Sequence, residues 1–99
     1  MMSMDLISKK EKTMPKVEIY YKDYCPFCKR AKGLLDEKDI DYKLYDITHD
    51  KDGQQEMQKR KPGARTVPQI FIDDKSIGGC DELFALEDSG ELDRRLGLE

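Results

Sequence analysis

Two cysteines stand three positions apart in the stretch YKDYCPFCKRA, which runs from Tyr21 to Ala31. Cys25 and Cys28 enclose a proline and a phenylalanine, and a lysine and an arginine follow directly. Two thiols at this spacing can supply half of a metal site, form a structural pair or act as a redox couple. The elements that position the two sulfurs must decide among these three uses.

The cysteine pair lies between a predicted strand and a predicted helix. The segment KVEIYY is rich in β-formers, with Val17, Ile19 and Tyr21 at alternate positions. Pro26 suits the first helical position, where a missing N–H has no helical partner in any case. Apolar residues then follow at helical spacing, namely Phe27, Ala31, Leu34 and Leu35.

This placement makes Cys25 the N-cap of the helix. Its sulfur is expected to accept hydrogen bonds from the backbone N–H groups of Phe27 and Cys28, and the helix dipole also stabilises a thiolate there. Lys29 and Arg30 add positive charge where a helix start disfavours it, a conflict typical of a site built for an anion. We therefore predict that Cys25 is the attacking thiolate and that the more buried Cys28 resolves the mixed disulfide.

The other uses of the pair have less support. A structural zinc site would need further ligands, and the chain offers only Cys80 and His49 without a second Cys-x-x-Cys. An inert pair would have no reason to sit between a strand and a helix start. We predict no redox role for Cys80 and no catalytic role for His49.

Composition limits the class of protein. The 99 residues suffice for one domain, and 18 basic and 21 acidic residues give a formal net charge of −3 without long charged blocks. Nucleic-acid binding is therefore not expected, nor is a signal peptide or membrane span, and we predict a cytoplasmic protein. We interpret residues 1–14 as a disordered N-terminal tail and residues 15–99 as the domain.

The remaining patterns complete an α/β fold. IDYKLYDI, from Ile40 to Ile47, predicts a second strand, and DKDGQQEMQKRK predicts an exposed helix that ends before Pro62. A hairpin with its turn near Asp73 follows, then a helix from Cys80 and one further short helical segment. The order βαβαββα predicts a central four-stranded mixed sheet flanked by helices.

Pro68 stands at the mouth of the strand in ARTVPQIFI, where it cannot donate to the sheet. Such a proline often marks a cis peptide, although a plain strand-start proline is the alternative. A cis Val67–Pro68 bond is expected to turn the N–H and C=O of Val67 outward, where an extended peptide could pair with them.

Three motifs together carry a family resemblance: CPFC at Cys25–Cys28, TVP at Thr66–Pro68, and GGCD at Gly78–Asp81. In this order and spacing the chain resembles a bacterial-type dithiol glutaredoxin of the thioredoxin fold over residues 15 to 98. The resemblance implies glutathione-dependent reduction of protein–glutathione mixed disulfides and of protein disulfides. It implies no permanently bound cofactor and no metal.

The resemblance also implies a glutathione site. The TVP backbone near Val67 is expected to pair with the cysteinyl part, and the start of the last helix to hold the γ-glutamyl carboxylate while Asp81 meets the ammonium. Lys22 and Arg65, together with Arg60, match the basic positions near the glycyl carboxylate. The predicted glutathione-binding residues are Lys22, Phe27, Arg65, Thr66, Val67, Pro68, Gly79, Cys80 and Asp81.

Two rival functions stay open from the sequence. A thioredoxin-like protein reduced by a flavoprotein reductase usually carries Gly-Pro and tryptophan at the motif, and this chain has no tryptophan. Some glutaredoxins instead form dimers that hold an iron–sulfur cluster through the first cysteine and glutathione, which proline after that cysteine disfavours. The expected state is a monomer whose partners are glutathione and disulfide-containing proteins, with ribonucleotide reductase a common partner in the family.

Overall fold

The computed structural model describes residues 15–98, so the predicted tail at residues 1–14 lies outside the described residues. The predicted order of elements is confirmed, and the final helical segment forms a short helix of its own. The elements are β1 (Val17–Tyr21), α1 (Pro26–Glu37), β2 (Lys43–Asp46), α2 (Lys51–Arg60), β3 (Gln69–Ile72), β4 (Lys75–Gly78), α3 (Cys80–Ser89) and α4 (Glu91–Arg95).

The strands form one mixed sheet in the order β2-β1-β3-β4. β1 pairs in parallel with β2 and antiparallel with β3, and β3 pairs antiparallel with β4. Since β1 is central and has packed layers on both faces, its residues are buried irrespective of the face they occupy. The carboxyl end of β1 leads directly into the cysteine motif, so the sheet fixes where the motif lies.

Side chains on the two faces of the sheet form separate cores. On one face, Ile19, Ile70 and their neighbours pack with apolar residues of α1, α3 and α4. On the other face, Tyr20 and Phe71 pack with Met57 of α2. Alternate residues of β1 thus serve different cores, as the two-residue period of a strand requires.

The second strand is shorter than predicted. It covers Lys43–Asp46 rather than the whole segment from Ile40 to Ile47. Ile40 and Tyr42 precede it and pack, partly buried, against the first core. Leu44 is 39% exposed because β2 is an edge strand that the helices do not fully cover, so the alternating pattern overstated its burial.

Two backbone turns explain where elements end. Asp73 and Asp74 both have positive φ angles, 51° and 68°, which is the geometry of a tight two-residue hairpin turn between β3 and β4. Gly90 has a φ of 81° and separates α3 from α4, because a left-handed residue ends a helix. Within residues 15–98, no helix is long and apolar enough to cross a membrane.

Candidate functional site

Cys25 occupies the N-cap of α1, as predicted. Its backbone is extended, Pro26 follows at the first helical position, and its Sγ accepts a hydrogen bond from the backbone N–H of Cys28 at 3.2 Å. The sequence analysis expected backbone N–H donors from both Phe27 and Cys28 to this sulfur, and the structure has the hydrogen bond from Cys28. The sulfur therefore lies at the positive end of the α1 dipole with an N–H group directed at it.

A backbone carbonyl also contacts this sulfur. The Cys25 thiol donates to the carbonyl oxygen of Val67 at 3.4 Å. The Cys25 thiol thus occupies this acceptor, and the pairing of the Val67 backbone with an extended peptide stays a prediction. When Cys25 loses its proton this hydrogen bond is lost as well, and the Val67 oxygen becomes available to another donor.

Cys28 differs from Cys25 in its surroundings. It is 1% exposed, against 7% for Cys25. Burial, and next the hydrogen bond with Cys25, raise the pKa of the Cys28 thiol to about 12. Cys28 is thus a protonated thiol at neutral pH, and in that form it can stabilise negative charge on its neighbour.

A groove of about 350 Å³ lies beside Cys25, whose thiol contacts Val67 in the lining of that groove. One wall is Phe27, which is 50% exposed, and the opposite wall is the start of α3. The Val67–Pro68 peptide is cis, which confirms that prediction. The groove is lined by Phe27, Thr66, Val67, Pro68, Gly79, Cys80, Asp81 and Glu82.

Gly79 allows the two backbone segments of this groove to approach each other. A Cβ atom at this position would lie 3.2 Å from the carbonyl oxygen of Pro68. That distance is tighter than an ordinary van der Waals contact, so a side chain here would push α3 and the TVP segment apart. The second glycine of GGCD therefore keeps the groove narrow, because it has no side chain at this point of close approach.

The start of α3 offers N–H donors to the groove. The backbone N–H of Gly79 donates to Glu82 Oε1 at 2.7 Å, and the first intrahelical bond runs from Leu83 N to Gly79 O. The N–H groups in between belong to the first turn, which has no intrahelical acceptors. Sequence reasoning missed the role of Glu82, although an acidic residue three positions after an N-cap is the recognised signal.

Seven of the nine residues predicted to bind glutathione line this one groove, and the two cations do not. Arg65 is exposed and lines an adjoining groove of about 490 Å³, which shares Thr66 and Gly79 with the first. Lys22 lies at the end of β1, where its carbonyl accepts the backbone N–H of Cys25 at 3.2 Å. Arg65 thus flanks the groove, and Lys22 is connected to the site through its backbone bond to Cys25.

Arg60 lies elsewhere, and its expected place near the glycyl carboxylate was wrong. Its guanidinium donates to both carboxylate oxygens of Glu18, at 2.8 Å and 3.1 Å, and to the Tyr20 hydroxyl at 3.0 Å. It also lies 4.0 Å from the centre of the Phe71 ring. These contacts place it over the sheet, since the last turn of α2 faces β1 and not the TVP segment.

The third cysteine and the histidine differ in environment. Cys80 is 5% exposed and lines the groove, and burial raises the pKa of its thiol, so it is a protonated thiol at neutral pH. His49 is exposed in the loop before α2. The prediction that neither takes part in the chemistry stays a prediction.

Comparisons with known proteins agree on one family. The glutaredoxin family model matches residues 17–77. Glutaredoxin 3 of Escherichia coli (strain K12) is 50% identical over 80 residues, covering 81% of this chain and 95% of the relative. The solution structure of glutaredoxin from Brucella melitensis has 45% identity and a TM-score of 0.75, over 86% of this chain and 91% of that one.

Another similar structure is that of a complex with glutathione. The crystal structure of a buckwheat glutaredoxin–glutathione complex is 31% identical, with a TM-score of 0.74 over 95% of this chain and 88% of that one. The likeness to these solved structures confirms the thioredoxin-like fold class predicted from the sequence.

Proposed function

Since the chain belongs to the glutaredoxin family and is thus a thiol–disulfide oxidoreductase that uses glutathione, we propose that it reduces protein–glutathione mixed disulfides and protein disulfides. In this proposal Cys25 is the nucleophile and Cys28 the resolving thiol. The observation that carries it is the Cys25 sulfur at the N-cap of α1, 3.2 Å from the Cys28 N–H and beside the groove.

The first reaction uses Cys25 alone. Its thiolate attacks the glutathione sulfur of a mixed disulfide, a bond forms between Cys25 and glutathione, and the protein leaves as a thiolate. A second glutathione thiolate then attacks the Cys25–glutathione disulfide. Oxidised glutathione leaves and the Cys25 thiolate is restored, so two electrons pass from glutathione to the protein substrate.

The second reaction also uses Cys28. Cys25 attacks a protein disulfide and forms a mixed disulfide, which removes its negative charge and its hydrogen bond to the Cys28 thiol. Both of these raise the pKa of Cys28, so that pKa falls at the moment when Cys28 must ionise and attack. The departing substrate thiolate takes up a proton, and glutathione later reduces the Cys25–Cys28 disulfide.

The groove fits glutathione by its chemistry. We place the cysteinyl backbone along Thr66–Pro68 and the γ-glutamyl carboxylate on the N–H groups at the start of α3, where the dipole favours an anion. The Asp81 carboxylate would receive the ammonium group. Lys22 and Arg65 would flank the glycyl carboxylate from outside the groove walls.

The test uses glutathione as the only reductant. A glutathionylated peptide is incubated with the chain, glutathione, glutathione reductase and NADPH, and NADPH oxidation is followed. We expect turnover, whereas activity only with a thioredoxin reductase would contradict the proposal and favour the thioredoxin-like rival. The proposal that the chain works as a cytoplasmic monomer is tested separately, by fractionation of cells and by sedimentation.

One variant pair tests the glutathione pose. Asp81→Asn should raise the KM for glutathione roughly tenfold, since it removes the charge from one charge-assisted hydrogen bond. Asp88→Asn is the matched control, because Asp88 is exposed on the same helix and does not line the groove. Equal KM values for the two variants would show that Asp81 does not meet the substrate.

Cluster binding remains the alternative from the resemblance. Among residues 15–98, no group of three or more His, Cys, Asp or Glu side chains is arranged to hold a metal ion. One chain would therefore need a second copy and glutathione to complete a ligand set through Cys25. Anaerobic reconstitution with iron and sulfide, read by visible absorbance and sedimentation, decides between dimeric cluster binding and the dithiol enzyme.

A further inference from the structure

Two aromatic side chains next to the nucleophile are exposed. Tyr24 is 70% exposed and Phe27 is 50% exposed, and they lie one and two positions from Cys25. Large apolar side chains that stay in water beside a reactive group are typical of a protein contact surface. Aromatic residues and arginine are also the residue types that contribute most to binding at such surfaces.

Cations surround these aromatics. The stretch from Tyr21 to Lys32 contains four cations and one anion, in a chain whose formal net charge is −3. Lys29 and Arg30 are both exposed. Arg30 follows Phe27 by three positions, so the two side chains are neighbours on the surface of α1.

Within residues 15–98, no carboxylate forms an ion pair with the two exposed cations of α1. In the described part of the chain, carboxylates form ion pairs with Lys16, Lys38, Arg60 and Arg94, but none with Lys29 or Arg30. Arg30 instead lies over the Phe84 ring, 5.2 Å from its centre. A guanidinium held against a ring keeps its N–H donors at its edge, where a carboxylate can reach them.

The position of the cations opposes the fold. Of the four helices within residues 15–98, α1 is the one without an acidic residue in its first turn, and it continues with Lys29 and Arg30. A cation near a helix N-terminus interacts unfavourably with the helix dipole. The other helices follow the favourable rule, with Asp52 in α2, Asp81 and Glu82 in α3, and Glu91 and Asp93 in α4.

We propose that the α1 surface, formed by Tyr24, Phe27, Lys29 and Arg30, docks an acidic segment of the protein whose cysteine is reduced. The inference rests on the proposed function, because a mixed disulfide has two halves. If glutathione occupies the groove along Thr66–Pro68 and α3, the protein half extends over α1. Glutamate and aspartate near the target cysteine would meet the cations, and apolar neighbours would meet the two rings.

The docking test compares peptides and variants. Two glutathionylated peptides of equal length carry the target cysteine between glutamates or between lysines, and the mixed disulfide of glutathione with β-mercaptoethanol serves as a small substrate. We expect kcat/KM to favour the acidic peptide by roughly tenfold at low salt, with the preference narrowing as salt rises. The small substrate should show no comparable salt dependence.

Charge-reversal variants distinguish an effect of the α1 surface from an effect of the net charge of the protein. K29E/R30E should invert the preference between the two peptides. Both cations are also close to Cys25 in sequence and can change its reactivity, so kcat/KM for each peptide is divided by kcat/KM for the small disulfide measured on the same variant. This variant is expected to fold, since it removes an unfavourable charge–dipole interaction. K51E/K59E is the control: it changes the net charge equally, on exposed positions of α2, and should keep the wild-type preference.

A measurement of peptide binding tests the docking surface without the disulfide reaction. Fluorescence anisotropy with the same peptides, serine replacing the target cysteine, should give tighter binding of the acidic peptide to the wild type and not to K29E/R30E. Equal affinity for both peptides, or the same loss in K51E/K59E, overturns the docking surface. Absence of turnover with the small disulfide would instead overturn the proposed function.

Discussion

Two regions of this protein hold polar groups out of water, and they treat them differently. Around Arg60 and Glu18, on the α2 face of the sheet, charges and hydroxyl groups are matched to one another. Around Cys25, at the end of β1, thiols are buried with few partners and nearby cations have no carboxylate. The first arrangement is typical of a part that holds the fold, and the second of a part that waits for a ligand.

The Arg60 cluster consists of Arg60, Glu18, Tyr20 and Tyr45, whose charges and hydroxyl groups bond to one another. Glu18 is 4% exposed, and its carboxylate accepts from Arg60 and from the Tyr45 hydroxyl at 2.8 Å. Burial by itself would raise the pKa of Glu18, but the hydrogen bonds from Arg60 and Tyr45 outweigh it and hold that pKa below its usual value. The stacked rings of Tyr20 and Tyr45 pack beside the guanidinium.

In the part of the chain that the structure describes, the region around Cys25 and the start of α1 lacks such matched charges. The Cys28 thiol is buried with its pKa raised, and α1 has no acidic residue in its first turn and cations at its fourth and fifth positions. The cations cost free energy in the folded state, and only the proposed reaction gives them a use. The buried Cys28 thiol costs no protonation free energy at neutral pH, because it is protonated in the folded and the unfolded chain alike. Changes at the two regions should therefore separate into losses of activity and losses of stability.

The largest expected effect is the loss of all activity in Cys25→Ser. Serine is an efficient N-cap, so the start of α1 is kept while the nucleophile is removed. We expect no turnover of mixed disulfides or protein disulfides, with the free energy of unfolding within about 1 kcal/mol of wild type. Residual activity with either substrate, in coupled assays alongside urea unfolding, would show that another sulfur can attack.

Cys28→Ser should separate the two reactions. Reduction of glutathionylated peptides needs only Cys25 and should continue, while reduction of protein disulfides should stop because the mixed disulfide cannot be resolved within the chain. Parallel assays with a glutathionylated peptide and with insulin measure the two. Loss of both activities would show that the roles assigned to Cys25 and Cys28 are wrong.

Arg60→Met should damage the fold and spare the chemistry. It leaves Glu18 buried without its cation, which typically costs about 3–5 kcal/mol. Lys59→Met is the control, because Lys59 is exposed on the same helix and has no ion pair in the described part of the chain, and its expected cost is below about 1 kcal/mol. Urea unfolding measures both, and a similar small loss in the two variants would show that the Arg60 cluster is not a structural centre.

The same cluster predicts how stability depends on pH. Because the pKa of Glu18 is lower in the folded state, the unfolded chain takes up its proton first as pH falls. The contribution of Glu18 is therefore present above the usual glutamate value of about 4.3 and is lost progressively below it. Glu18→Gln should flatten this part of the acid unfolding curve, and an unchanged slope would contradict the assignment.

The smallest effect is expected at the start of α3. Glu82→Ala removes the acceptor of the Gly79 N–H and should cost about 1 kcal/mol of stability. Asp88→Ala, on the same helix near its C-terminal end, should cost nothing, since an acidic residue there opposes the dipole. Thermal unfolding of the two variants makes the comparison, and equal midpoints would show that the Glu82 bond does not stabilise the helix.

The sequence predicted the parts of this molecule that follow local rules. Pro26 after Cys25 located the helix start, and Pro68 located the cis peptide, since proline restricts the backbone wherever it stands. Arg60 was placed wrongly because it is close to Thr66 along the chain, which suggested that the two are also close in space. The direction of the Arg60 side chain depends instead on how α2 packs on the sheet, which the local sequence does not give. A buried-strand glutamate, Glu18, was the sign that a cation had to reach β1.

The position of Cys28 beside Cys25 also has a consequence for how an oxidant would act on this protein. Peroxide converts an accessible thiolate to a sulfenic acid, and further oxidation to the sulfinic acid is irreversible for most proteins. A sulfenic acid on Cys25 would have the Cys28 thiol beside it, so that the two condense to a disulfide and release water. Glutathione can reverse that product, so the Cys28 thiol would then also protect Cys25 from permanent damage.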